Sequence, residues 1–117
     1  MAVSNLGVHV AEVIGVVDIM VAEGRGDALE RAFEACASGT HGEQGCLTYA
    51  LHQDNADPQH YVLLERWRSQ ADLDEHLTTP WVADLFAFAG TEGNLSAPPT
   101  LTFTSALGLG DPAKASL

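Results

Sequence analysis

Basic residues are scarce in this chain: five Lys and Arg stand against sixteen Asp and Glu, a formal charge of -11. That balance repels phosphate backbones and anionic headgroups, which argues against nucleic acid and acidic membrane surfaces as partners. Cysteine is scarcer still. Cys36 and Cys46 sit at no redox or metal-ligand spacing and read as free, core-facing thiols. His9, His41, His52 and His60 are scattered without ligand spacing, so no metal site is expected. No segment approaches the roughly twenty apolar residues of a membrane span, since Glu12 and Asp18 interrupt the stretch after the amino terminus. That terminus, MAVSNLGVHVAE, has neither a basic region nor a cleavage signature, and a cytoplasmic location is expected. A glycine-rich phosphate loop and a nucleophile elbow are both missing.

What is present is enough for one domain. A chain of 117 residues with 46% apolar content carries a single modest core, here placed at about 12–107 within one domain spanning 1–117, with 108–117 a flexible tail. Val13 to Val21 is Val- and Ile-rich with apolar residues on both faces apart from Asp18, the pattern of a strand buried on both sides. Leu29, Ala32, Phe33 and Cys36 recur at helical spacing, with Asp27 near the start and Gly39 expected just past the end. Leu47, Tyr49 and Leu51 alternate with polar or small residues, a loop from Asp54 to Gln59 follows, and a second strand covers Tyr61 to Arg68. Ser69 is placed to cap a helix carrying Leu73, His76 and Leu77. Thr79-Pro80 restarts helix, with an apolar stripe of Val82, Leu85, Phe86 and Ala89 ending at Gly90, and Thr100 to Leu107 forms the last strand.

Strand, helix, strand, strand, helix pair, strand is the order of a split βαβ, ferredoxin-like α+β fold, an antiparallel sheet with helices on one face. The large apolar residues left on the other face call for a second copy, so a symmetric homodimer is expected. Across its neighbouring strands an Asp18–Arg66 pair is anticipated on that face. Alternation puts Glu65 and Trp67 on one side of their strand, and the spacing of Leu73, His76 and Leu77 turns the imidazole into the same space. Two readings of His76 stand: a core histidine satisfied by Glu65 or a carbonyl, or a general base. Trp67 is either core or an aromatic platform, and the Tyr49 phenol either meets a substrate oxygen or satisfies itself at the sheet edge.

Gly45-Cys46, Tyr49, Glu65-Arg66-Trp67, the Leu73–Leu77 stretch with His76, and Thr79-Pro80 together resemble the antibiotic biosynthesis monooxygenase domain family. The resemblance covers the middle half of the chain closely and implies ferredoxin-like domains paired as a dimeric α+β barrel. It implies oxidation of quinols or anthrones by O₂ without metal or flavin, hence no cofactor, with a small aromatic substrate. His76 would be the base, Glu65 would fix its tautomer and Tyr49 would donate to the developing oxyanion; Trp67, Phe33, Phe86 and Phe88 would form the substrate wall. Of the Asn, Trp and His that form the site in the haem-degrading branch, only the Trp is matched, as Trp67, with Val17 and Phe86 at the other two positions. Where the family often has a second His-Phe pair after Thr-Pro, this chain has Trp81-Val82. Two alternatives remain open: an isomerase or tautomerase acting on an enolisable carbonyl, and a non-catalytic dimer that binds a small ligand.

Overall fold

A computed structural model describes residues 11–117; His9 therefore lies outside the described residues. The elements are β1 (Val13–Met20), α1 (Gly26–Thr40), β2 (Cys46–Asp54), β3 (Asp57–Trp67), α2 (Gln70–His76), α3 (Pro80–Gly90) and β4 (Thr100–Thr104). The strands form one antiparallel sheet in the order β2-β3-β1-β4. This is the α+β, ferredoxin-like arrangement expected from the element order.

Side-chain alternation decides which face of the sheet is covered. Val13, Val17 and Ile19 of β1 and Tyr61, Leu63, Glu65 and Trp67 of β3 are buried, on the face that packs with Leu29 and Cys36 of α1, Leu73 of α2 and Val82 of α3. Ile14, Val16 and Met20 alternate with the buried set and are only half-buried, as are Val62 and Leu64 beside them. β1 is thus covered on one side within the chain, rather than on both. At the centre of the covered face Gly15 lies opposite Phe103, and a methyl group there would come within 3.0 Å of the phenyl ring.

The Asp18–Arg66 pair does not form. Register places Arg66 opposite Ile14 and Asp18 opposite Val62, too far apart along the strand to meet. Arg66 instead takes Glu12 in a two-bond contact at 2.7 and 3.1 Å. Asp18 bonds His60 Nε2 at 2.8 Å, while His60 Nδ1 meets Asp54 at 2.8 Å. One imidazole therefore links carboxylates from β1 and the end of β2.

Several boundaries shift for local reasons. Helix α1 runs through Gly39 to Thr40, and the glycine makes room for the Trp81 indole, which occupies the space a side chain at 39 would need. The expected Asp54–Gln59 loop shrinks to a tight turn: Asp54 Oδ1 accepts the Ala56 amide at 2.8 Å and Asp57 starts the next strand. Ser69 caps α2 as expected, accepting the Asp72 amide at 3.2 Å. Thr79 and Pro80 hold the first positions of α3, but the Thr79 hydroxyl donates back to the His76 carbonyl at 2.7 Å and not to the helix. Strand β4 ends at Thr104, and 108–117 contains no helix or strand. Among the described residues no helix is long and apolar enough to cross a membrane.

Candidate active site

His76 occupies the last turn of α2 and is 2% exposed. The short helix is held at both ends. Arg68 forms a two-bond ion pair with Asp72 at 2.9 Å, the Asp72 carboxylate also receives the Ser69 hydroxyl at 2.8 Å, and Leu73 is fully buried. These contacts set the depth at which the imidazole enters the core. Its ring centroid lies 4.4 Å from that of Trp67 and 5.3 Å from that of Tyr49, so two aromatic faces fix its plane.

The carboxylate that meets this imidazole is Glu43. Its Oε2 lies 2.8 Å from His76 Nδ1 and accepts the Trp81 indole N–H at 3.0 Å. Glu43 stands in the turn between α1 and β2, where its amide donates to Thr40 and its carbonyl accepts from Cys46. An ionised carboxylate accepts only, so the hydrogen resides on Nδ1, and in the neutral ring Nε2 is left as the basic nitrogen. The turn, α2 and α3 each contribute one member of this cluster.

Glu65 does share the buried face with His76, yet it makes no hydrogen bond to it. Its Oε1 accepts the Trp67 indole N–H at 2.9 Å. Burial, with Glu43 nearby, pushes its carboxyl above the usual range, and the Trp67 bond and the neighbouring imidazole oppose that only in part. Tyr49 is likewise diverted. Its hydroxyl lies 3.5 Å from Cys36 Sγ beneath α1, and burial is the main reason its phenol is raised far above the ordinary value. Cys36 and Cys46 are both free; burial, with Glu43 and Glu65 nearby, raises the Cys46 thiol to about 11, so it stays protonated at neutral pH.

A cleft of about 60 Å³ opens between the sheet and helices α2 and α3. Tyr49, Glu65, His76, Phe86 and Phe88 all line it, among almost wholly apolar neighbours. Trp67 and Phe33, expected in the wall, stand behind it: Trp67 is fully buried against the imidazole, and Phe33 stacks on the far ring, Tyr49, at 5.2 Å. The mouth is framed by Phe86, Leu101 and Phe103, each about half exposed. Val17 and Phe86, the positions set against a haem-type Asn and His, both line the cleft and offer no ligand atom. Among the described residues no group of three or more His, Cys, Asp or Glu is placed to hold a metal ion.

This geometry brings an imidazole with one nitrogen held by a carboxylate to the wall of an apolar cleft. Sequence reasoning placed Glu65 and His76 on one buried face but missed Glu43 and Trp81, whose positions in a turn and on a separate helix carry no periodic signal.

Comparison with known proteins agrees with the architecture. Residues 13–87 match the sequence model of a family described as "Antibiotic biosynthesis monooxygenase". A Mycobacterium tuberculosis protein named "Putative monooxygenase Rv0793" is 42% identical over 53 residues, 45% of this chain and 52% of its own length. The chain's matches span about half, or less, of the curated relatives' lengths. The solved structure of Rv0793 superposes with a TM-score of 0.75 at 28% identity, covering 83% of this chain and 96% of that one. The crystal structure of PA3566 from Pseudomonas aeruginosa gives 0.72 at 31% identity, covering 83% and 95%.

Proposed function

Because the chain belongs to the antibiotic biosynthesis monooxygenase family, we propose that it oxidises a small aromatic substrate of the quinol or anthrone kind with O₂. The observation that carries this reading is the buried His76, bonded to the half-buried Glu43, at the wall of an apolar cleft. His76 Nε2 takes a phenolic or carbon-bound proton, and the Glu43 carboxylate stabilises the imidazolium that results. The electron-rich anion is then the reductant for O₂, so no metal or flavin is needed. For a dihydroxybenzene, one oxygen atom enters the ring and the other leaves as water, giving a hydroxybenzoquinone. The substrate loses four electrons and O₂ gains them. Phe86 and Phe88 supply the ring-binding wall and limit water.

A homodimer belongs to the same proposal. The sheet face away from the helices carries half-buried Ile14, Val16 and Leu64, and a second copy of that face would cover them.

Oxygen uptake by metal-stripped protein is measured against hydroquinones, naphthoquinols and anthrones, beside His76→Ala and an autoxidation control. Uptake above control that disappears in His76→Ala supports the reading. Uptake retained in the variant eliminates His76 as the base, and isomerisation of an enolisable carbonyl without oxygen uptake replaces oxidation by tautomerisation.

A further inference from the structure

Three side chains of the cleft wall are able to hydrogen-bond: Tyr49, Glu65 and His76. The Tyr49 hydroxyl is engaged with Cys36. Glu65 and His76 are 5% and 2% exposed, and each has one atom satisfied and one without a partner among the described residues. Glu65 Oε1 holds the Trp67 N–H while Oε2 makes no hydrogen bond; His76 Nδ1 meets Glu43 while Nε2 makes none. Both unpartnered atoms are acceptors once the carboxyl is ionised and the ring neutral. Among the described residues no Lys or Arg lines the cleft. Glu65 Oε2 and His76 Nε2 therefore offer lone pairs, and buried polar atoms left this way favour a ligand that completes them.

Resting on the oxidase reading for where the substrate sits, we propose that the cleft takes a neutral aromatic ring by its hydroxyl hydrogens, and that Glu65 is the residue that makes it favour the reduced, hydroxyl-bearing form over the oxidised, carbonyl form. A dihydroxyarene brings hydrogens for Glu65 Oε2 and His76 Nε2. A quinone brings only lone pairs, which would face the lone pairs of Glu65 across a dry space where repulsion is weakly screened. Oxidation turns both substrate hydroxyls into carbonyls and leaves the product only the one newly added hydroxyl, so at least one of the two acceptors that hold the substrate loses its donor. Specificity and turnover then share one cause.

The test is anaerobic calorimetric titration with a naphthalenediol, its dimethyl ether and naphthoquinone, repeated from about pH 6 to about pH 9 because burial raises the Glu65 carboxyl above the usual range. Wild-type protein is expected to bind the diol about tenfold or more tightly than either of the others, the range of a hydrogen bond to a charged group. In Glu65→Gln the amide oxygen retains the Trp67 contact and the amide N–H turns to the cleft, so naphthoquinone should come within about threefold of the diol. Equal wild-type affinities, or no binding of the diol, overturns the proposal without reference to any variant. An unchanged preference in folded Glu65→Gln overturns the assignment to Glu65. Because oxygen is absent, a protein that keeps the preference yet never consumes oxygen overturns the oxidation reading alone.

Discussion

Glu43 and His76 are 33 positions apart and joined at 2.8 Å, and the same carboxylate oxygen receives the Trp81 indole N–H. The imidazole is thus oriented by a residue that lies on neither α2 nor the sheet beneath it.

Replacing that carboxylate by its amide separates charge from shape. In Glu43→Gln the amide oxygen still accepts from Trp81, but the imidazolium loses its counter-charge. Oxygen uptake should fall by about tenfold or more. Uptake kept within about threefold of wild type would assign Glu43 a structural role only.

Tyr49 yields the opposite expectation. With its hydroxyl committed to Cys36, Tyr49→Phe should keep oxygen uptake within about threefold and cost about 1 kcal/mol of stability by denaturant titration. A loss of activity comparable to that of His76→Ala would restore the phenol as an oxyanion donor.

Gly39 tests the packing around Trp81. In an exposed helix Gly→Ala commonly gains about 1 kcal/mol. Here the added methyl overlaps the indole, so Gly39→Ala should lose about 1–3 kcal/mol and lower activity by displacing Trp81 from Glu43. A raised Tm with unchanged activity would count against the placement of the indole.

His60 provides a pH signature. Its bonds to Asp54 and Asp18 raise its pKa above the ordinary value. A pKa higher in the folded state than in the unfolded one means stability fully present below about pH 6.5 and lost as pH rises through the folded value. Wild-type Tm should decline across that window more steeply than that of His60→Gln. Parallel curves would show that the bridge carries no linkage.

The fold was legible where one residue's neighbours are fixed by its own strand or helix. Glu65 and Trp67 follow from alternation, the Ser69 cap from its place before Asp72, and the buried His76 from its spacing to Leu73. The partner of His76 was not legible, because one turn glutamate among sixteen acidic residues carries no pattern and only tertiary packing selects it. Leu77 shows the converse limit: it shares the helical spacing of His76 but caps α2 at the cleft rim, 41% exposed. Gly39 misled for a related reason, since its lack of a side chain serves a tryptophan 42 positions later and not a helix terminus.

Gly15 makes the sheet itself a determinant of what the cleft admits. Phe103 rests against the bare backbone of β1 at that position, so the width of the mouth is set by a missing methyl group in the central strand. A single carbon added there would meet the ring at 3.0 Å and shift a side chain that is already 41% exposed, changing the aperture with every polar atom unchanged. In the proposed reaction the size of the accepted ring and the chemistry done on it are therefore separable, the first adjustable at position 15 and the second assigned to Glu43 and His76.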